Sequence, residues 1–175
     1  MAQGHECAAD REDGSLSVAC KTLAETAILA EVIAEVLTPG DVILLDGALA
    51  AGKTTFVTLM CQALGCEDQP SSPTYAISNI YTCPGFEVFH IDAYRLSGVR
   101  EFYNLGIEEF FPEAVALIEW GERVREAFPD HLQTSITFQD PESEARVYTF
   151  NAEGSRWETG ITDLARRLSK KGLTK

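Results

Sequence analysis

Eight consecutive residues restrict what this chain can fold into more than any others. Gly47-Ala48-Leu49-Ala50-Ala51-Gly52-Lys53-Thr54 satisfies the pattern G-x-x-x-x-G-K-[ST] at each fixed position. At ordinary composition a chance match is rare, roughly a few in a thousand chains. The flanks agree with it. Val42-Ile43-Leu44-Leu45 precedes it as a run apolar on both faces, the pattern of a central parallel strand covered by helices on each side. Lys53 opens an amphipathic stretch to Leu64, and Gly65 supplies a left-handed stop. Strand, glycine-bearing loop and helix in that order form a phosphate-binding unit.

The residue types have chemical reasons. A triphosphate presents dense negative charge on oxygens that accept hydrogen bonds. A loop without bulky side chains lets backbone N–H groups turn inward around it, and the helix start adds its positive end. Lys53 supplies a cation for the β- and γ-phosphates, and the Thr54 hydroxyl is placed to ligate Mg²⁺. In an ordinary strand-turn-helix, Lys53 would be a cation at a helix N-terminus, where the dipole disfavours it.

The rest of the chain reads as an α/β domain with a mixed sheet. Ser15 to Cys20 is a short strand. Leu23 to Leu37 has helical apolar spacing, with Thr22 and Glu25 as a capping box and Pro39-Gly40 as the stop. Tyr75 to Thr82 and Phe86 to Ile91 predict a hairpin across Pro84-Gly85. Ser97 to Phe111 is a helical or irregular connection. Ala114 to Ile118 is a second fully apolar strand, and a short helix follows from Glu122 to Ala127. Thr134 to Phe138 and Arg146 to Asn151 predict a second hairpin, before a terminal helix from Ile161 to Leu168. Residues 1–14 read as a flexible tail, 15–169 as one domain and 170–175 as a basic tail.

Charge and cysteine usage narrow the function classes. Twenty-seven acidic residues against 14 basic ones give a net charge of −13. Such a surface repels phosphate backbones and anionic lipid at long range, so the chain is no free-standing nucleic-acid or membrane-surface binder. Its apolar runs fall far short of the roughly 20 residues of a membrane helix, and residues 1–14 lack the apolar core of a signal peptide. The five cysteines include no C-x-x-C pair. They are expected as reduced thiols, in a cytoplasmic protein.

Two acids stand where a magnesium site would want them. Glu119 ends the run Ala114 to Ile118, and Asp92 ends Phe86 to Ile91, which places both at the carboxyl edge of the sheet beside the phosphate loop. An acid there holds Mg²⁺ directly or through water, or orients an attacking water. An acid at a strand end is also commonly just solvent-facing; the phosphate loop tips the reading to function. Ser72-Pro73-Thr74 reads as a turn, with γ-phosphate sensing as its alternative. Trp120 either covers a nucleotide or partner or plugs the core. His90 reads as a strand histidine rather than a catalyst. Arg95 either meets phosphate or pairs with an acid. No N-K-x-D guanine-reading motif is present, and no arginine-rich lid for a second phosphorylated substrate is evident.

Taken together these segments resemble the TsaE family, small bacterial P-loop ATPases required for threonylcarbamoyladenosine modification of tRNA. The matching pieces are Pro39-Gly40-Asp41, Gly47 to Phe56, Ser72-Pro73-Thr74-Tyr75, His90-Ile91-Asp92-Ala93-Tyr94-Arg95-Leu96, Leu105-Gly106-Ile107 and Leu117-Ile118-Glu119-Trp120, spread over about residues 22–151. The resemblance implies a three-layer P-loop NTPase-like fold with a mixed, mostly parallel sheet and a C-terminal antiparallel hairpin. It implies ATP and Mg²⁺ as ligands, and TsaB and TsaD as partners through which tRNA is met only indirectly. Hydrolysis alone would be slow. Carried over by position, Lys53, Asp92 and Glu119 are the catalytic group and Thr54 and Glu119 the Mg²⁺ ligands. Nucleotide contacts fall to Thr26, Gly47, Ala48, Leu49, Ala50, Ala51, Gly52, Lys53, Thr54, Thr55 and Trp120. Two departures stand out. Ala48 replaces an acidic or amide residue and Ala50 a glycine, so a positive φ at Ala50 would store roughly 1 kcal/mol of strain. Glu142-Ser143 stand where the family often has Gly-Arg, which leaves that arginine's role lost or moved to Arg146.

The sequence thus points to a partner-stimulated ATPase. Its rivals are a small-molecule P-loop kinase and a nucleotide-gated binding module without useful hydrolysis.

Overall fold

The two apolar runs are neighbouring strands at the centre of one seven-stranded sheet. A computed structural model describes residues 15–67, 70–140 and 143–173; the tail assigned to residues 1–14, and Glu142, lie outside them. Strands β1 (Leu16–Cys20), β2 (Val42–Asp46), β3 (Ser78–Cys83), β4 (Phe86–Asp92), β5 (Ala114–Glu119), β6 (His131–Phe138) and β7 (Arg146–Glu153) lie in the order β1-β7-β6-β2-β5-β4-β3. The pairs β6–β2, β2–β5 and β5–β4 are parallel. The two predicted hairpins, β3–β4 and β6–β7, are antiparallel, and β1 closes one edge antiparallel to β7.

Why β2 and β5 are apolar throughout follows from the pleat. Successive side chains point to opposite faces, and both faces are covered. Ile43 and Leu45 of β2, with Val115 and Leu117 of β5, enter a core shared with the helices α1 (Leu23–Ala34), α2 (Lys53–Ala63) and α4 (Ser155–Lys170). Val42 and Leu44, with Ala114, Ala116 and Ile118, enter a second core on the other face. That core contains Phe89, Phe102, Phe111 and Phe128, and it is covered by α3 (Val99–Tyr103) and short 3₁₀ turns. The result is three layers, helix-sheet-helix.

The capping signal of α1 acts where expected, although the helix ends at Ala34 rather than Leu37, β3 begins at Ser78 rather than Tyr75, and the segment from Glu122 to Ala127 forms 3₁₀ turns rather than one helix. The Thr22 hydroxyl accepts the Glu25 N–H, and the Glu25 carboxylate accepts the Lys21 N–H. The terminal helix is longer than its periodicity suggests, beginning at Ser155. Past its end Leu173 is buried in the first core, an apolar side chain that the basic composition of residues 170–175 obscured.

The cysteine expectation is corrected. Cys66 and Cys83 form a disulfide, so the five cysteines are not all free thiols. Cys66 follows α2 and Cys83 ends β3, and the Glu67 N–H donates to the Thr82 carbonyl at 3.0 Å, which brings the two side by side. Their 17-residue separation gave no such sign. Cys61 is a buried thiol pushed up to about 12 by desolvation.

Candidate functional site

The parity that splits the core also aims the acids. Glu119 shares its face of β5 with Val115 and Leu117, the α2 side. On β4, His90 and Asp92 share the face of Val88, which belongs to the same core. Asp92 and Glu119 are register partners on adjacent parallel strands. Both carboxylates therefore emerge at the carboxyl edge of the sheet, facing the start of α2.

The loop between β2 and α2 is shaped for close approach. Gly47 has φ +152°, and a Cβ there would stand 2.5 Å from the Ile136 carbonyl oxygen. Gly52, preceding α2, has φ +108°. Ala50 has φ 62°, so this alanine occupies the left-handed region where a glycine would be unstrained. Lys53 curls back into the loop: Nζ donates to the Gly47 carbonyl at 2.7 Å and the Ala48 carbonyl at 3.0 Å, and lies 4.0 Å over the Trp120 ring. Burial pushes the ammonium's pKa below its ordinary value, while the carboxylates of Glu119, Asp46 and Asp92 pull it back up.

Thr54 Oγ1 donates to Glu119 Oε1 at 2.7 Å, and His90 Nε2 lies 2.9 Å from the same oxygen. Asp92 Oδ2 accepts the Thr74 hydroxyl at 2.9 Å, Ser72 Oγ is 2.6 Å from Thr74 Oγ1, and Asp92 Oδ1 accepts the Tyr94 N–H. A cavity of about 300 Å³ lies against Leu49, Ala50, Gly52, Lys53, Thr54, Thr55, Ser72, Thr74, Asp92, Glu119 and Trp120. A second, of about 280 Å³, lies across the loop against Leu23, Thr26, Ala51, Arg146 and Tyr148, sharing Ala50, Gly52 and Thr55 with the first.

The residues carried over as nucleotide, metal and catalytic groups lie around these two cavities. Gly47 and Ala48 reach it through the carbonyls that hold Lys53. Ser72 and Thr74 are more than a turn: both line the cavity. Trp120 lines it as well, in the left-handed region at φ 56°. Among the described residues Arg95 neither lines the cavity nor forms an ion pair there; it stacks over Tyr75 at 5.1 Å. Arg146 Nε donates to the Ala51 carbonyl at 2.9 Å, so this arginine supports the loop from the second cavity.

Asp46 was missed. It ends β2, accepts the Glu122 N–H and the Gln133 side chain, and is pushed above the ordinary carboxyl range by burial. Its position as the last strand residue before the glycine loop was the available signal.

Hard oxygen donors at Thr54 and Glu119 suit Mg²⁺, which binds one or two protein oxygens and fills its octahedron with water and phosphate. Among the described residues no group of three or more His, Cys, Asp and Glu side chains is placed to cage a metal, so the donor set fits an ion shared with phosphates rather than a closed protein site.

Fold and site together define a P-loop NTPase-like protein: a buried parallel strand, a glycine loop, a Lys-Thr helix start and an acid on the adjacent strand. Residues 20–148 match the family described as "Threonylcarbamoyl adenosine biosynthesis protein TsaE", and the chain belongs to the TsaE family. It is 34% identical over 143 residues to the tRNA threonylcarbamoyladenosine biosynthesis protein TsaE of Bacillus subtilis, covering 81% of this chain and 89% of that protein. The Streptomyces coelicolor protein of the same name is 35% identical over 133 residues, covering 73% and 90%. A solved structure, described as the crystal structure of Bacillus subtilis YdiB, superposes with a TM-score of 0.70 at 30% identity, covering 87% of this chain and 95% of that one.

Proposed function

We propose that this chain binds ATP with Mg²⁺, hydrolyses it slowly, and serves threonylcarbamoyladenosine modification of tRNA by acting on a TsaB–TsaD complex in the cytoplasm, with residues 15–169 as the ATPase domain. The observation that carries the reading is the Thr54–Glu119 contact at 2.7 Å beside Lys53, in a cavity that also reaches Asp92. The relatives' names supply the tRNA pathway. Among the described residues no helix is long and apolar enough to cross a membrane.

In this reading the triphosphate lies along residues 47–55, with the first cavity for its β- and γ-phosphates and the second, at Thr26 and Tyr148, for the nucleoside. Backbone N–H groups of the loop and the start of α2 donate to phosphate oxygens. Lys53 exchanges its two carbonyl acceptors for phosphate oxygens. Mg²⁺, held by Thr54 and Glu119, supplies charge neutralisation on those oxygens when bound. Asp92, steadied by Thr74 and the Tyr94 N–H, orients the attacking water. Among the described residues, Lys53 is the one cation lining the first cavity. Such a site has a single positive clamp for developing charge, which suits slow turnover and a partner that completes it. A single cation also disfavours the kinase alternative, whose second phosphorylated substrate needs its own clamp.

Release of labelled phosphate from ATP, measured with and without TsaB and TsaD, tests the reading; stimulation by the pair is expected. No phosphate release under either condition sinks the ATPase reading. Full tRNA modification in cells carrying Glu119→Ala would favour a nucleotide-gated binding module instead.

A further inference from the structure

His90 is fully buried, yet both of its ring nitrogens have polar neighbours. Nε2 lies 2.9 Å from Glu119 Oε1, and Nδ1 lies 3.4 Å from the Tyr81 hydroxyl. An ionised carboxylate only accepts, so the proton of that contact sits on Nε2. Glu119 Oε1 thereby receives two donors, the His90 ring and the Thr54 hydroxyl. The Tyr81 hydroxyl in turn accepts the Ser71 N–H at 3.1 Å, and its single proton is shared between the Ser71 carbonyl oxygen at 3.0 Å and His90 Nδ1. Asn79 Nδ2 donates to that carbonyl at 3.0 Å. The loop that begins there carries Ser72 and Thr74 into the cavity and ends at Ile77, a β-branched residue at φ 70° whose carbonyl accepts the Asp92 N–H. A β-branched residue in that region stores strain, which persists only where its surroundings hold it.

We propose that His90 is a positioning residue for Glu119 and that Tyr81 couples it to the loop bearing Ser72 and Thr74. The imidazole fixes the rotation of the Glu119 carboxylate, and a displacement of the Ser71 backbone reaches that carboxylate through one hydroxyl and one ring. The loop then touches both strand-end acids, Asp92 through Thr74 and Glu119 through Tyr81 and His90. This inference rests on the ATPase reading for its kinetic consequence, but its geometry stands apart from it.

The test uses the full chain and three variants. His90→Phe keeps a ring and removes both nitrogens, His90→Gln restores a donor toward Glu119, and Tyr81→Phe removes only the hydroxyl. Groups that orient a metal-holding side chain typically change metal affinity or rate about 10- to 100-fold. The His90→Phe variant is expected to raise the Mg²⁺ concentration for half-maximal phosphate release by about tenfold, while KM for ATP at saturating Mg²⁺ stays within about twofold of wild type. His90→Gln should recover most of the loss, and Tyr81→Phe should move the Mg²⁺ dependence in the same direction by less. Imidazole ¹⁵N–¹H correlation spectra provide a readout free of nucleotide: a slowly exchanging Nε2–H is expected, shifted by Glu119→Gln and exchanging faster in Tyr81→Phe. An imidazole protonated on Nδ1 alone, or an unchanged Mg²⁺ dependence in His90→Phe, overturns the proposal. If His90→Phe does not fold, unaltered Mg²⁺ dependence and exchange in Tyr81→Phe overturn the coupling. Absence of hydrolysis by the wild-type chain would remove the ATPase reading and leave the spectra to decide the positioning one.

Discussion

Thr54 Oγ1 donates to Glu119 Oε1 at 2.7 Å, joining the first turn of α2 to the end of β5 across 65 residues of chain. The contact exists because β5 lies beside β2, the strand that feeds the loop and α2, and because Glu119 falls on the α2 face of the pleat. Replacing the hydroxyl by an isosteric methyl in Thr54→Val should weaken ATP binding about tenfold or more with Mg²⁺ present, and far less without it. Calorimetric titration under both conditions reads this. Equal losses in the two would mean that Thr54 serves no metal.

Trp120 reports on Lys53, whose ammonium lies 4.0 Å over its ring. The chain has two tryptophans, and Trp157 is fully buried in the first core. Adding Mg²⁺ and ATP should therefore change the tryptophan emission through Trp120. The change should persist in Trp157→Phe and vanish in Trp120→Phe. An emission change that survives Trp120→Phe would assign it elsewhere.

Ala50 at φ 62° carries a Cβ in the left-handed region. Ala50→Gly removes that strain but adds freedom to the unfolded chain, so the net gain is up to about 1 kcal/mol. Urea unfolding midpoints measure it, and a lower midpoint for the variant would contradict the backbone argument.

Asp41 is buried, and Arg156 grips it through two hydrogen bonds, Nε to Oδ1 at 2.9 Å and Nη2 to Oδ2 at 2.7 Å. Arg156 also donates to the Val36 carbonyl, so the pair ties the start of α4 to the turn after α1. Arg156→Met would leave a buried carboxylate with only Thr38 as donor among the described residues. Because the guanidinium is partly exposed, the cost should fall near about 2–3 kcal/mol, below that of a fully buried pair. A change under about 0.5 kcal/mol in urea unfolding would show that solvent replaces the arginine.

Asp46 is held above the ordinary carboxyl value of 3.8 by burial. The folded chain thus holds this proton more tightly than the unfolded chain. Stability contributed at low pH is lost as pH rises through 3.8 toward the raised value, and stays lost above it. Asp46→Asn has no such proton. Its stability relative to wild type should therefore rise as pH climbs above 3.8. Unfolding midpoints of the two proteins across that climb give the answer, and parallel curves would refute the burial account.

Much of this architecture was legible because its signals are local. Apolarity on both faces identified β2 and β5, Pro84-Gly85 marked one hairpin, and Thr22 with Glu25 capped α1. The glycine loop was readable because backbone N–H groups, a lysine and a hydroxyl must follow one another closely to surround phosphate. Helix ends were less legible, since α4 begins six residues before its regular apolar spacing.

Other features depended on which strands meet and in what register. The sequence alone determined that Glu119 and Asp92 end strands; only the parallel pairing of β4 with β5 made them neighbours on one face. His90 read as a plain strand histidine because its partners, Tyr81 and Glu119, lie 9 and 29 residues away. The Cys66–Cys83 bond and the entry of Thr74 into the site likewise rest on β3 folding back along β4. Hydrophobic period and loop chemistry are written residue by residue, whereas a shift of one residue in strand register would turn every side chain to the opposite face. The chain order therefore determined the elements and the phosphate loop, and tertiary pairing decided which polar groups share an oxygen.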